Sequence, residues 1–73
     1  MVDVKKLKSR MALMGFNQRS LVEAMAKRGY KMSENTLSAK MKKPKKFNCN
    51  DADVICEILK VEHPAEKAEI FLA

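Results

Sequence analysis

Residues 17–42 read NQRSLVEAMAKRGYKMSENTLSAKMK and contain two amphipathic segments separated by a turn. The first segment predicts a helix that begins after Asn17, its cap, and is stopped by Gly29; its thin apolar stripe is Leu21, Val22, Met25 and Ala26. The second predicts a short helix from the cap Ser33 to about Lys42, and its apolar positions are Leu37 and Met41. The pattern indicates a mostly polar helix held out from a small core.

Flanking segments predict further helices and no convincing strand. The first helix is capped by Asp3 and ended by Gly15, with one apolar face formed by Val4, Leu7, Met11 and Met14. A fourth runs from about Asp51 to Lys60 after a cap at Asn50 or Asn48; its inward residues are Val54, Ile55, Ile58 and Leu59. Phe47 precedes this helix and can pack against its first turn.

Pro64 fits the first position of a fifth, short helix that ends near Leu72. The apolar residues of this segment are Ala65, Ala68, Ile70, Phe71 and Leu72. The predicted fold class is therefore all-α, a compact bundle of five short helices. Residues 1–73 form one domain, because a chain of 73 residues is too short for two.

The charge of the chain is unevenly distributed. Residues 1–46 hold thirteen Lys and Arg against three Asp and Glu, a net charge of +10, whereas residues 47–73 carry −4. A basic segment on a small domain favours a polyanionic partner, most simply nucleic acid. The alternative is a solvated surface on which these charges are scattered.

Other classes of function find little support in the composition. Cys49, Cys56 and His63 are spaced seven apart, but a structural zinc site needs four ligands, so Cys56 is predicted to be a core residue and Cys49 an incidental thiol. One histidine, and no Gly-rich phosphate loop, argue against catalysis, and no metal or cofactor is expected. No run of about 18 apolar residues is present, which predicts a cytoplasmic protein without a membrane span.

The polar helix that follows Ser33 has the side chains needed to read base edges. A DNA major groove about 12 Å wide admits an α-helix, and asparagine pairs well with adenine while glutamate can accept a hydrogen bond from cytosine. Glu34, Asn35 and Ser38 lie in the N-terminal part of this helix. For a single helix, however, a polar face is more often simply hydrated.

Several features occur in an order that resembles the lambda-repressor/Cro-like helix-turn-helix family. The chain is most similar to a subgroup of short, uncharacterised regulators from phages and prophages of Gram-positive bacteria. The resemblance covers nearly the whole chain and rests on Leu7, residues 15–18, Leu21, residues 36–41, Phe47, Ile55 with Leu59, and Ile70-Phe71-Leu72. It implies a helix-turn-helix over about residues 17–42 whose third helix enters the major groove of operator DNA.

The resemblance also implies roles for individual residues. Base edges would be contacted by Glu34, Asn35, Ser38 and Ala39. Gln18 would contact a phosphate and brace the third helix, while Ser33 and Thr36 would either bind phosphate or cap and support that helix. The full set of expected phosphate contacts is Gln18, Arg19, Lys31, Ser33, Thr36, Lys40, Lys42, Lys43, Lys45 and Lys46; such contacts give affinity rather than specificity.

Two departures from the family pattern concern the third helix. Leu21 precedes Leu37 by sixteen positions instead of the eleven of the family's shortest form, so either the second helix is longer or the turn carries about five extra residues near Lys27–Lys31. Many relatives also carry a buried Arg–Glu pair where this chain has Met11 and Met41. Two apolar partners can replace such a pair without loss of stability, so these methionines are expected to touch.

The sequence thus favours a Cro-type transcriptional regulator that binds double-stranded DNA. Such proteins usually bind as dimers on half-sites about 34 Å apart, and Ile70, Phe71 and Leu72 are predicted either to form the dimer contact or to close the core. The alternative is a protein-interaction module, an antirepressor or accessory protein on the same scaffold. RNA binding is less favoured, because one Tyr and three Phe are too few for a base-stacking surface.

Overall fold

The computed structural model describes residues 2–71, in which five α-helices follow one another and no strand occurs. The helices are α1 (Val4–Leu13), α2 (Gln18–Lys27), α3 (Glu34–Lys42), α4 (Cys49–Leu59) and α5 (Pro64–Phe71). A single 3₁₀ turn, Pro44–Lys46, joins α3 to α4. The all-α, five-helix prediction is confirmed over this range. None of these helices has the length and apolar character that crossing a membrane requires.

Side-chain caps define where the first three helices begin, as the sequence predicts. Asp3 accepts a hydrogen bond from the Lys6 backbone N–H at 3.2 Å, Asn17 from that of Ser20 at 2.8 Å, and Ser33 from that of Thr36 at 3.0 Å. Each cap satisfies one of the free N–H groups of a helix start. Glycines in the left-handed conformation follow α1 and α2, namely Gly15 at φ 79° and Gly29 at φ 82°.

Helix α4 begins two residues earlier than predicted, because Asn48 rather than Asn50 caps it. The Asn48 side chain accepts from the Asp51 N–H at 2.8 Å, and the Asp51 carboxylate accepts from the Asn48 N–H at 3.1 Å. These reciprocal bonds form a capping box that fixes the start at Cys49. The helix ends at Leu59, one residue before the predicted Lys60, which adopts φ 56°.

One hydrophobic core joins the helices, with α2 packed on α3 and α4, and α1 packed on α5. Its fully enclosed apolar residues are Leu7, Leu21, Met25, Leu37, Ile55, Leu59 and Val61. The predicted apolar stripes are mostly confirmed, but Ala26 and Ala65 are exposed, and Val4, Met14, Val54 and Ala68 are only half-buried. Ala26 is exposed because it lies at the margin of the α2 stripe, beyond Val22, and not at the centre that Leu21 and Met25 define.

The end of the described chain closes the core. Ile70 and Phe71 are 4% and 8% exposed, and the Ile70 carbonyl accepts a hydrogen bond from the Asp3 backbone N–H at 2.6 Å. Of the two roles predicted for this apolar ending, closure of the core is therefore the one observed for these two residues. Leu72, the third member, lies outside the described residues.

Candidate nucleic-acid interface

Helix α3 is buried along one narrow edge and exposed elsewhere. Leu37 and Met41 are enclosed in the core, while Glu34, Asn35, Thr36 and Ala39 are exposed and Ser38 is half-buried. The four predicted base-contact residues therefore lie on the first two turns of the helix, and three of them are freely accessible. Such a surface can offer an amide and a carboxylate to a partner without rearrangement of the fold.

The hydroxyl groups at the start of α3 bond to one another. Ser33 accepts from the Thr36 backbone N–H at 3.0 Å and donates from its hydroxyl to Thr36 Oγ1 at 2.8 Å. Capping, one of the two roles predicted for Ser33 and Thr36, is thus observed. Both side chains are also exposed.

Exposed lysines follow the C-terminal end of α3. Lys42 is the last residue of α3, Lys43 follows it, and Lys45 and Lys46 belong to the 3₁₀ turn that begins at Pro44. All four lysines are exposed. Because they lie within five residues, they form a concentrated positive charge directly beside α3, which we call the lysine turn.

Gln18 braces α3, as predicted from the family resemblance. It is the first residue of α2 and half-buried. Its side-chain Nε2 lies 3.4 Å from the sulfur of Met41, to which it donates a weak hydrogen bond. Its neighbour Arg19 is exposed and pairs with Glu23 at 3.5 Å within the same helix, an interaction that solvent weakens.

Lys40 differs from the other lysines expected to contact phosphate. Its ammonium binds the carboxylate of Asp51 on α4, and only 17% of its side chain is exposed. The structure therefore gives Lys40 a partner inside the protein, which takes it out of the set of free cations near α3. Lys40 follows Leu37 by three residues and precedes Met41 by one, so it lies at the edge of the buried face of α3. Its side chain can therefore turn inward to Asp51.

Asp51 is fully buried and binds groups from two other parts of the chain. Its Oδ1 accepts a hydrogen bond from the Tyr30 hydroxyl, and its Oδ2 accepts from the Lys40 ammonium. The Asn48 backbone N–H also donates to Oδ2 at 3.1 Å. These interactions join α4 to α3 and to the segment between α2 and α3. We call Tyr30, Lys40 and Asp51 the tether.

The tether shifts the ionisation of two of its members. Burial by itself would raise the pKa of Asp51, but hydrogen bonds from Lys40 and Tyr30 and the charge of Lys40 outweigh it and hold that pKa below its usual value. The hydrogen bond to Asp51, with burial, raises the pKa of Tyr30. Both shifts favour a carboxylate that accepts from a neutral hydroxyl, the arrangement observed.

Arg10 forms a second internal cluster on the side of α1. Its guanidinium donates to the carbonyls of Leu59 at 3.1 Å and Lys60 at 2.9 Å, and it pairs with Glu66 on α5 at 2.8 Å. A cation at the last carbonyls of α4 is favourable for the helix dipole. Of the thirteen bases of residues 1–46, Arg10 and Lys40 are half-buried, and their charged groups are bound within the fold.

The connection between α2 and α3 comprises residues 28–33. Four of the five positions suspected of lengthening the motif, Arg28–Lys31, therefore lie in this connection rather than in α2. Arg28 pairs with Glu57 on α4 at 3.4 Å, Tyr30 turns inward to Asp51, and Lys31 is exposed. The connection is consequently anchored on α4 at two points.

Three further predictions concern the cysteines, a possible metal site and the pair Met11 and Met41. Cys56 is buried in the core as predicted, where burial raises its thiol pKa, and Cys49 is exposed. Within residues 2–71, no three His, Cys, Asp or Glu side chains are grouped so that they could hold a metal ion. Met11 and Met41 are both buried in the same core, and their direct contact stays a prediction.

The sequence did not predict the internal contacts of Tyr30, Asp51 and Arg10. Only Asp51 leaves a local signal, because an asparagine three residues before an aspartate is typical of a helix start with reciprocal caps. Tyr30 and Lys40 lie 21 and 11 residues from Asp51 along the chain, and no spacing rule connects them.

Comparison with protein-family models, curated proteins and solved structures finds no match.

Proposed function

We propose that this protein binds double-stranded DNA in a sequence-specific manner and acts as a transcriptional regulator, with α2 and α3 as a helix-turn-helix. The observation that carries the proposal is the exposed polar face of α3 directly beside the four exposed lysines of the lysine turn. Hydrogen-bonding groups that can read bases and cations that can bind phosphate lie next to each other on one short stretch of chain.

In this proposal, α3 lies in the major groove and its first two turns face the bases. Asn35 would donate to and accept from an adenine edge, and Glu34 would accept from a cytosine amino group. Ser38, half-buried, and Ala39 would contact the edges nearby. The helix is nine residues long, about 13 Å at a rise of 1.5 Å per residue, which suits a short stretch of groove.

Phosphates on either side of the groove would be bound by exposed cations and by Gln18. The lysine turn supplies Lys42, Lys43, Lys45 and Lys46, and the α2–α3 connection supplies Lys31. Arg19 is exposed as well, while Ser33 and Thr36 can bind phosphate only alongside their mutual capping bonds. Lys40 is not included, because its ammonium is bound to Asp51.

The charge of the molecule supports this orientation. Residues 1–46, which include α3, carry +10 and residues 47–73 carry −4, so the attraction to DNA comes from the segment that contains α3. A regulator of this kind would act in the cytoplasm as a Cro-type phage or prophage repressor that blocks RNA polymerase. If it binds as a homodimer, the contact must form elsewhere than at Ile70 and Phe71, which are engaged in the core.

Selection from a random duplex DNA pool at about 150 mM salt tests the proposal, because non-specific electrostatic binding is already weakened there. We expect an enriched sequence, and an inverted repeat with half-sites one helical turn apart would indicate a dimer. A pool that enriches nothing after repeated rounds would contradict sequence-specific recognition by the protein alone.

One observation favours a second candidate function, a protein-interaction module. Leu13, at the end of α1, is 74% exposed, and it borders a groove between α1 and α5 that also contains Lys5, Lys6, Glu66 and Glu69. A single exposed leucine is common on any protein surface, so the specific feature is that Leu13 lies at a groove lined by side chains of both charges. Binding to another regulator with no salt-dependent affinity for DNA would favour this function over the first.

A further inference from the structure

We propose that the tether of Tyr30, Lys40 and Asp51 positions α3 for base recognition, so that it determines how well the protein discriminates between DNA sequences. This inference rests on the proposed function. It assigns a specificity role to three residues that would not touch DNA themselves. Two features of α3 support it, namely its few apolar contacts and the geometry of its polar ones.

Apolar packing alone fixes the rotation of α3 poorly. Only Leu37 and Met41 of its nine residues are buried, and they lie four apart, on a single line along the helix. Contacts of this kind are non-directional, and methionine in particular adapts to several arrangements. A helix held by such a line can roll about it, and any roll moves the exposed side chain of Asn35 across the groove.

Besides the weak hydrogen bond from Gln18 to Met41, the tether supplies directional contacts before α3 and near its end. Tyr30 lies three residues before the cap Ser33 and binds Oδ1 of Asp51, whereas Lys40 lies in the second half of the helix and binds Oδ2. One rigid carboxylate, itself held by the Asn48 N–H at 3.1 Å, thus fixes the segment before α3 and the helix near its end. The complete burial of Asp51 strengthens both bonds by excluding water.

The chain offers a matched control in Arg10. Like Lys40, Arg10 is a half-buried cation that connects helices, but its partners are Leu59, Lys60 and Glu66, none of which belongs to α3. Lys40→Met and Arg10→Met each remove one positive charge together with the internal contacts of that cation. A purely structural role predicts similar consequences for DNA recognition, whereas a positioning role predicts different ones.

The experiment compares wild type with Tyr30→Phe, Lys40→Met and Arg10→Met at a temperature where each is folded. Tyr30→Phe removes only the hydroxyl and serves if Lys40→Met does not fold. Amide hydrogen exchange of the free protein is measured first, with α2 as the reference because it contains none of the substituted residues. We expect α3 to exchange about tenfold faster relative to α2 in the two tether variants but not in Arg10→Met, because local opening sets these rates.

Affinity for the selected duplex and for a scrambled one is then compared. We expect the ratio of the two affinities to fall by about fivefold or more in the tether variants, the value of one lost base contact, with affinity for the scrambled duplex nearly unchanged. Equal ratios in all variants, or unchanged exchange of α3, would overturn the inference. A pool that enriches no duplex would instead overturn the proposed function and the recognition role together, while the exchange measurement still decides whether the tether fixes α3.

Discussion

The buried carboxylate of Asp51 binds three groups from different parts of this small domain. A buried charge is tolerated only when it is paired and hydrogen-bonded, and Asp51 meets that condition through Lys40, Tyr30 and the Asn48 N–H. Removing one partner of a buried pair leaves the other uncompensated, which typically costs about 3–5 kcal/mol. The stability of the fold and the placement of α3 therefore depend on the same residue.

The lowered pKa of Asp51 makes a definite prediction about acid stability. Since its pKa is lower in the folded state than in the unfolded chain, where it is about 3.9, Asp51 contributes stability above that value, and the contribution is lost as the pH falls through the folded-state pKa. Denaturant unfolding of wild type and Asp51→Asn should give a difference in the free energy of unfolding that is constant near pH 7 and shrinks below about pH 4. A difference that does not change with pH would contradict the assignment.

Asn35 is expected to read a base. Asn35→Ala removes an exposed side chain, so the fold should keep its stability, while preference at one base position of the selected duplex should relax by about 1–3 kcal/mol. The measurement is competition binding against duplexes that vary at each position. Asn50→Ala, at an exposed asparagine of α4, should leave every preference as it is; an equal loss from both variants would exclude base readout by Asn35.

Lys43 is expected to contact phosphate and therefore to act on all sequences alike. Lys43→Ala should weaken binding to the selected and scrambled duplexes by the same factor and make the slope of log affinity against log salt shallower by about 1. The control is Lys67→Ala, which removes an exposed lysine of α5, and its slope should match that of wild type. A change in sequence preference caused by Lys43→Ala would contradict this role.

At the scale of the element, α3 depends on its cap because it is short and contains few apolar residues. Ser33→Ala removes the acceptor for the Thr36 N–H and should lower the free energy of unfolding by about 1 kcal/mol. Ser33→Asp keeps an acceptor and adds favourable charge at the helix start, so it should retain wild-type stability. Thermal unfolding distinguishes the two, and equal losses would show that the serine does more than cap.

The boundaries of the helices were predictable to the extent that their signals are local. Asp3, Asn17 and Ser33 cap the helices they were predicted to cap, because a cap needs only its own side chain and an N–H three residues away. The start of α4 was uncertain, since Asn48 and Asn50 are both suitable caps in sequence. The reciprocal bond from Asp51 decides for Asn48.

The tether was not predictable, because its members come together only when α2, α3 and α4 pack. An aspartate near the start of a helix and a lysine in a basic stretch are usually hydrated, and the family resemblance implies a phosphate contact for Lys40. The exposed face of α3 was easier to predict, since the polar residues there follow directly from the positions of Leu37 and Met41.

At the scale of the whole molecule, the basic residues divide into those that hold the fold and those that are free for a partner. Arg10 is half-buried and has several partners, and Lys40 is half-buried and bound to the fully buried Asp51. The lysines of the lysine turn are exposed. The net charge of +10 over residues 1–46 therefore overstates the positive charge that is free to bind a polyanion. The exposed Lys and Arg side chains of that segment still outnumber its three acidic residues.

This division can be tested with two arginines that both connect helices. Arg10 donates to two carbonyls and pairs with Glu66, with 21% of its side chain exposed, whereas Arg28 forms one exposed pair with Glu57. Arg10→Met should lower the free energy of unfolding by about 1.5–3 kcal/mol, the range for hydrogen bonds to charged groups, and Arg28→Met by about 0–1 kcal/mol.

DNA binding by the same two variants completes the test. Arg10→Met should leave the salt dependence of binding at its wild-type slope wherever the variant is folded, because the guanidinium is bound to Glu66 and to the end of α4. A shallower slope would mean that Arg10 releases counterions from DNA and would place α1, rather than the lysine turn alone, against the phosphate backbone. Loss of stability without a change in slope is the result that would separate the arginine that stabilises the fold from the lysines proposed to bind phosphate.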